Sequence, residues 1–150
     1  MLRYEIVSRD YKLTGAEEDI EKAIRLNPDD SKVLTVAGKL YMERAKRSVG
    51  LSNKERRDEL LDRSLKLFQQ AKSKNSKEAY NYLYLGEIYE MRGMPESAVS
   101  VWRDAKRICK DRLSLLEFRI VNSLITQQQL PEAFEALQSM DNTITLESSL

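Results

Sequence analysis

No histidine occurs anywhere in this chain. The commonest general base and the commonest transition-metal ligand are therefore absent, and most hydrolytic and metal-dependent chemistry loses its usual agent. Cysteine appears once, at Cys109, so an intramolecular disulfide is impossible and a reducing compartment is expected. On the run VWRDAKRIC that thiol reads as a small buried or half-buried side chain, not a reactive one. Glycine and proline number only five and three, and no long β-branched alternation is present, which together favour an all-α fold. No apolar run approaches the roughly 18 residues of a membrane span. The opening MLRYEIVSRD lacks an apolar signal core, so a soluble, cytoplasmic protein is expected.

Nucleotide and nucleophile motifs are missing too: no phosphate-binding glycine loop, GxGxxG turn, CxxC pair or GxSxG elbow can be found. Two acidic clusters, Glu17-Glu18-Asp19 and Asp29-Asp30, raise a metal site for consideration. Both stand where a helix is expected to begin, after Gly15 and after Asn27-Pro28, and first-turn carboxylates favour the positive helix end. The expectation is no enzyme, no cofactor and no metal.

What the chain does contain is the stretch AYNYLYLGEIYEMRGMPESAVSVWRDA. It places Tyr82, Leu85, Gly86, Tyr89, Ala98, Trp102 and Ala105 at intervals of three, one, three, nine, four and three residues. The first four share one helical face and must be buried against a second helix. Gly86 gives up about 1 kcal/mol of helix propensity relative to Ala, so packing must require it, and a close approach of two helix backbones is expected there. Ala98 and Ala105 are the small residues of the second helix, while Trp102 and Tyr89 are expected to fill the space between successive hairpins. Gly93 ends the first helix and Pro95 opens the next.

This pattern resembles the tetratricopeptide repeat. Leu34, Ala37, Gly38 and Tyr41, then Phe68 and Ala71, repeat it; Tyr4, Val7, Ser8 and Tyr11 with Ala16, Ile20 and Ala23 form a shorter copy. Ile120, Val121, Leu124, Ala133, Leu137 and Met140 keep the spacing without the aromatic or the glycine. The resemblance implies a right-handed helical-hairpin solenoid: one domain over 1–150, with units near 2–30, 31–78, 79–112 and 114–141. At 150 residues the chain can bury roughly 68–70% of its unfolded surface, enough for one stable domain.

The second unit departs from the pattern. Tyr41 to Ser64 is 23 residues where Tyr89 to Ala98 is 9, so 14 have been added over roughly 43–60. Gly50 and the capping box Ser52-Asn53-Lys54-Glu55 suggest that the addition lengthens both helices, by about two turns each if shared equally. Tyr41 and Phe68 already complete the hairpin, so the extension reads as an appendage. From Lys39 to Lys74 eleven basic residues face five acidic ones, a balance of +6 within a total of +1. Arg44, Lys46, Arg47, Lys54, Arg56 and Arg57 make up this basic arm. It suits an acidic protein, RNA or an anionic membrane surface, or else a solvated hairpin in which Glu55, Glu59 and Arg63 pair along the surface.

The resemblance implies a second surface, a groove lined by the first helices that accepts a peptide or helix. In register, Arg9, Lys39, Glu87 and Asn122 are equivalent, with Arg119 beside them and Tyr84 and Tyr80 one and two turns earlier in the helix of Glu87. The two tyrosines read either as the anchors of that groove or as packing that helps close the gap to the long second unit. Function is therefore read as a non-enzymatic protein-binding scaffold, with an RNA-processing helical-repeat module or a regulatory domain of a larger enzyme as alternatives. Apolar residues at either end, Leu2, Tyr4, Ile6 and Val7 against Phe134, Leu137 and Met140, lead to the expectation of a homodimer through like ends. The segment DNTITLESSL is read as a short tail after the last helix.

Overall fold

The computed structural model describes residues 15–48 and 53–148. Arg9 and the motif residues Tyr4, Val7, Ser8 and Tyr11 lie outside the described residues, as do Gly50 and Ser52. Seven helices and no strand occur among those described. They are α1 (15–26), α2 (Ser31–Arg47), α3 (Lys54–Lys74), α4 (Ala79–Met91), α5 (Pro95–Ile108), α6 (Leu113–Thr126) and α7 (Leu130–Ser148). The chain divides into two compact units, Met1–Lys74 and Asn75–Leu150.

In the first unit the acidic pair after Pro28 acts locally. The Asp30 carboxylate accepts from the Lys32 and Val33 backbone N–H groups at 2.8 and 3.4 Å, starting α2, and Asp29 pairs with Lys74 at 2.5 Å. Helices α2 and α3 pack as an antiparallel pair in which the Phe68 ring lies on Gly38: a Cβ there would stand 2.9 Å from the ring edge. Ser64 takes the small position of the second helix, and its buried hydroxyl donates to the Gly38 carbonyl at 2.7 Å, leaving no unsatisfied polar group.

The extension is helical but unequally shared. Helix α2 has 17 residues and α4 has 13; α3 has 21 and α5 has 14, so the second helix takes seven extra residues and the first only four. It is also partly packed. At its base Ala45 and Leu60 are buried, while the residues described between them are exposed or half-buried, so the base of the extension belongs to the core and only its far end projects.

In the second unit, Gly93 adopts φ 72° and the Met94 N–H donates to the Tyr89 carbonyl at 2.9 Å, the cap expected of a left-handed glycine after a helix. Pro95 then occupies the first turn of α5. Gly86 works differently from the backbone approach expected of it. A Cβ there would collide with the Trp102 indole, whose Nε1 donates to the Leu83 carbonyl at 3.3 Å. Trp102 therefore fills its own hairpin, not the gap between successive ones, because a flat indole needs the depth that only glycine leaves. Ala79, Tyr82, Leu83, Ala98, Val99, Trp102 and Ala105 share one buried cluster with Leu116, Ile120, Leu124 and Ala133, which joins the hairpins α4–α5 and α6–α7. Helix α7 continues through DNTITLES to Ser148, so this stretch is helix and not a tail; it holds neither Gly nor Pro to stop it.

Candidate protein-binding surfaces

Along α4, the residues at Tyr80, Tyr84 and Glu87 fall one turn apart on the face left half-buried, while Tyr82, Leu83, Leu85 and Gly86 turn inward. The Tyr80 and Tyr84 rings stack with centroids 6.1 Å apart and planes 25° apart. Arg112 completes the cluster: its guanidinium carbon lies 5.1 Å from the Tyr80 ring centroid, a cation over the ring face. The left-handed backbone of Arg112, φ 57°, sets this geometry at the start of α6. Sequence reading missed Arg112, since nothing local marks a contact across 32 residues, from 80 to 112.

On α6, Arg119 and Asn122 repeat the positions of Tyr84 and Glu87 one hairpin later, 35 residues on in each case. Arg119 is half-buried and Asn122 exposed. The second unit thus holds Tyr80, Tyr84, Glu87, Arg112, Arg119 and Asn122 on two successive first helices. Lys39 stands exposed in the first unit. Aromatic rings and guanidinium groups on a half-buried face supply contact area with little side-chain entropy to lose, the composition that dominates protein-binding hot spots.

The basic arm is largely internally paired. Arg44 forms an ion pair with Glu17 on α1, Lys46 meets Glu43 at 3.0 Å and Arg56 meets Glu59 at 3.3 Å. Arg57 is half-buried, while Arg47 and Lys54 are exposed. Arg63 does not join Glu55 or Glu59 as expected; it reaches Glu21 on α1 at 2.9 Å. The Tyr41 hydroxyl donates to the same carboxylate at 2.5 Å, and Arg63 also lies 5.8 Å from the Tyr41 ring centroid. That Tyr41 hydrogen bond, opposed by burial and aided by Arg63, holds the Glu21 carboxyl below its ordinary range. Burial and the adjoining carboxylate push the Tyr41 phenol up. These groups bind α1 to α2 and α3, which is a structural task.

Cys109 is buried at the end of α5, its Sγ 4.0 Å from the Ser76 carbonyl. Burial, with Asp111 and Glu78 nearby, pushes the thiol up, so little thiolate is available for chemistry. No helix among the described residues is long and apolar enough to cross a membrane.

No family model matches the chain, and neither does any curated protein sequence. Solved structures do resemble it. TTC0263, described as a thermophilic TPR protein in Thermus thermophilus, superposes with a TM-score of 0.71 at 17% identity, over 88% of this chain and 66% of that one. MamA from AMB-1 gives 0.62 at 20% identity over 88% and 66%. YrrB, described as a TPR protein with an unusual peptide-binding site, gives 0.59 at 18% identity over 92% and 65%. The chain spans about two thirds of the length of each. With its helix pairs, its glycine-seated aromatics and these likenesses, the chain has the fold of the tetratricopeptide-repeat proteins.

Proposed function

We propose that this chain is a non-enzymatic protein-interaction scaffold that holds a peptide or helical segment of a partner protein on the face of α4 and α6. The observation carrying the proposal is the stacked Tyr80–Tyr84 pair with Arg112 over the Tyr80 ring, a preassembled aromatic and cationic anchor at the edge of the core, against which Tyr80 packs. The described peptide-binding site of YrrB supports the same use of the fold. A cytoplasmic location fits the single reduced thiol.

Nucleic acid is the weaker reading. Arg44, Lys46 and Arg56 already have carboxylate partners, so fewer cations are free to replace the counterions of phosphates.

Panning a phage-displayed random peptide library against the chain, then titrating a selected peptide calorimetrically, tests the proposal. Tyr80→Ala and Tyr84→Ala should each weaken binding by about 1–2 kcal/mol with helicity unchanged. Wild-type affinity retained by both variants, with the fold intact, would move the site off α4.

A further inference from the structure

Equivalent positions in the two hairpins of the second unit lie 35 residues apart: Ala98 and Ala133, Leu83 and Phe118, Val99 and Phe134. Leu83 and Val99 are buried in the cluster by which the first hairpin receives the second. Phe118 and Phe134 occupy the same two positions on the second hairpin, are larger, and remain 51% and 62% exposed. Ile125 continues the α6 stripe two turns on, and Leu130 and Leu137 flank Phe134 on α7 at helical spacing, all of them exposed. The last hairpin thus carries a receiving face on which no described segment packs.

We propose that this face of α6 and α7 is a homodimer interface, each copy laying the Phe118 and Phe134 stripes against those of the other about a two-fold axis. Charge favours a second copy. On α7 the exposed acids Glu132 and Glu135 lie roughly 100–160° round the helix from the apolar stripe, at about 100° per residue. A face without charge meets its own copy with no like-charge contact, and gives an acidic or basic partner nothing to be steered by. Size agrees. At roughly 200–250 Å² for a fully exposed side chain of this kind, the five residues present about 550 Å² of apolar surface, near the upper end for a monomer. With the polar rim of Ser114, Asn122 and Gln138 the face approaches the roughly 800 Å² per partner of a standard interface. A self-complementary patch closes after two copies and leaves no open end.

The two surfaces meet along α6, where Asn122 borders both, but they rest on different side chains: Tyr80, Tyr84 and Arg112 for the peptide, Phe118 and Phe134 for the second copy. Sedimentation velocity of the whole chain, from low to high micromolar, should show a monomer–dimer equilibrium. Phe118→Glu and Phe134→Glu, exposed and so tolerated by the fold, should each raise the dimer dissociation constant at least about 100-fold. Phe134→Ala, which adds no charge, should raise it about 10-fold or more, and Ser100→Glu on the exposed side of α5 should leave it unchanged. Circular dichroism confirms that each variant is folded. A wild-type chain that stays monomeric throughout, or a dimer that survives both glutamates, overturns the proposal. A dispersed variant that still binds the phage-selected peptide would separate the two surfaces.

Discussion

Two glycines in this chain do one job at different depths. Gly38 seats the edge of the Phe68 ring, whereas Gly86 lies under the Trp102 indole, where a Cβ would fall far inside contact distance. Alanine gains about 1 kcal/mol of helix propensity at either site. At Gly86 the indole cannot retreat, being wholly buried and hydrogen-bonded to Leu83, so overpacking should win and Gly86→Ala should destabilise by about 1–3 kcal/mol. Gly38→Ala should come out closer to neutral. Urea denaturation ranks them, and equal midpoints for the two would contradict the argument.

At Glu21 the sign of the pH dependence follows from its lowered pKa. Its contribution is fully present above the ordinary value of 4.5 and is lost as pH falls through the lower folded value. Tyr41, raised, contributes below its ordinary value of 10.0 and fades as pH climbs through the folded one. Glu21→Gln should therefore be less stable than wild type at neutral pH, with the gap beginning to close as pH falls below 4.5. A gap that never narrows in urea titrations carried from neutral pH into acid would mean that the carboxylate charge is irrelevant there.

Elements were legible where a cap or a spacing fixes them. Gly93-Met94-Pro95 marks the α4–α5 boundary, and Asp30 the start of α2, because the left-handed glycine, the first-turn proline and the capping carboxylate are local. The split of the extension was not legible. Where a turn falls between two long helices depends on which side chains interlock, and Ala45 and Leu60 are buried on facing helices, four residues after Tyr41 and eight before Phe68. The consequence can be measured. Leu60→Ala should cost about 2–4 kcal/mol, as for a leucine lost from a close-packed core, whereas an appendage would register almost nothing. Thermal unfolding at matched concentration distinguishes the two. A loss below about 0.5 kcal/mol would return the extension to the status of an ornament.

For the whole chain, charge is segregated: +6 over Lys39–Lys74, and five acids against one arginine over 114–150, within a net +1. This much is visible in sequence; what the charges do is not, since Arg63 finds Glu21 forty-two residues away only after α1 and α3 have formed. The candidate site was half legible for the same reason. Tyr80 and Tyr84 follow from helical spacing, while Arg112 requires a left-handed residue at a helix start that no local signal announces. Division into Met1–Lys74 and Asn75–Leu150 carries its own test. The second unit has a cluster drawing on α4, α5, α6 and α7, together with an ion pair at 2.8 Å from half-buried Lys106 to buried Glu117 that ties α5 to α6. A unit whose apolar cluster closes within itself should fold without the rest, if only marginally, since a domain of this size buries only about 60% of its unfolded surface. Residues 75–150 alone should therefore be helical by circular dichroism and unfold in one sigmoidal transition at a lower midpoint than the full chain. A gradual, non-cooperative melt would show that the α4–α7 cluster does not suffice, and that the fold is one cooperative array throughout.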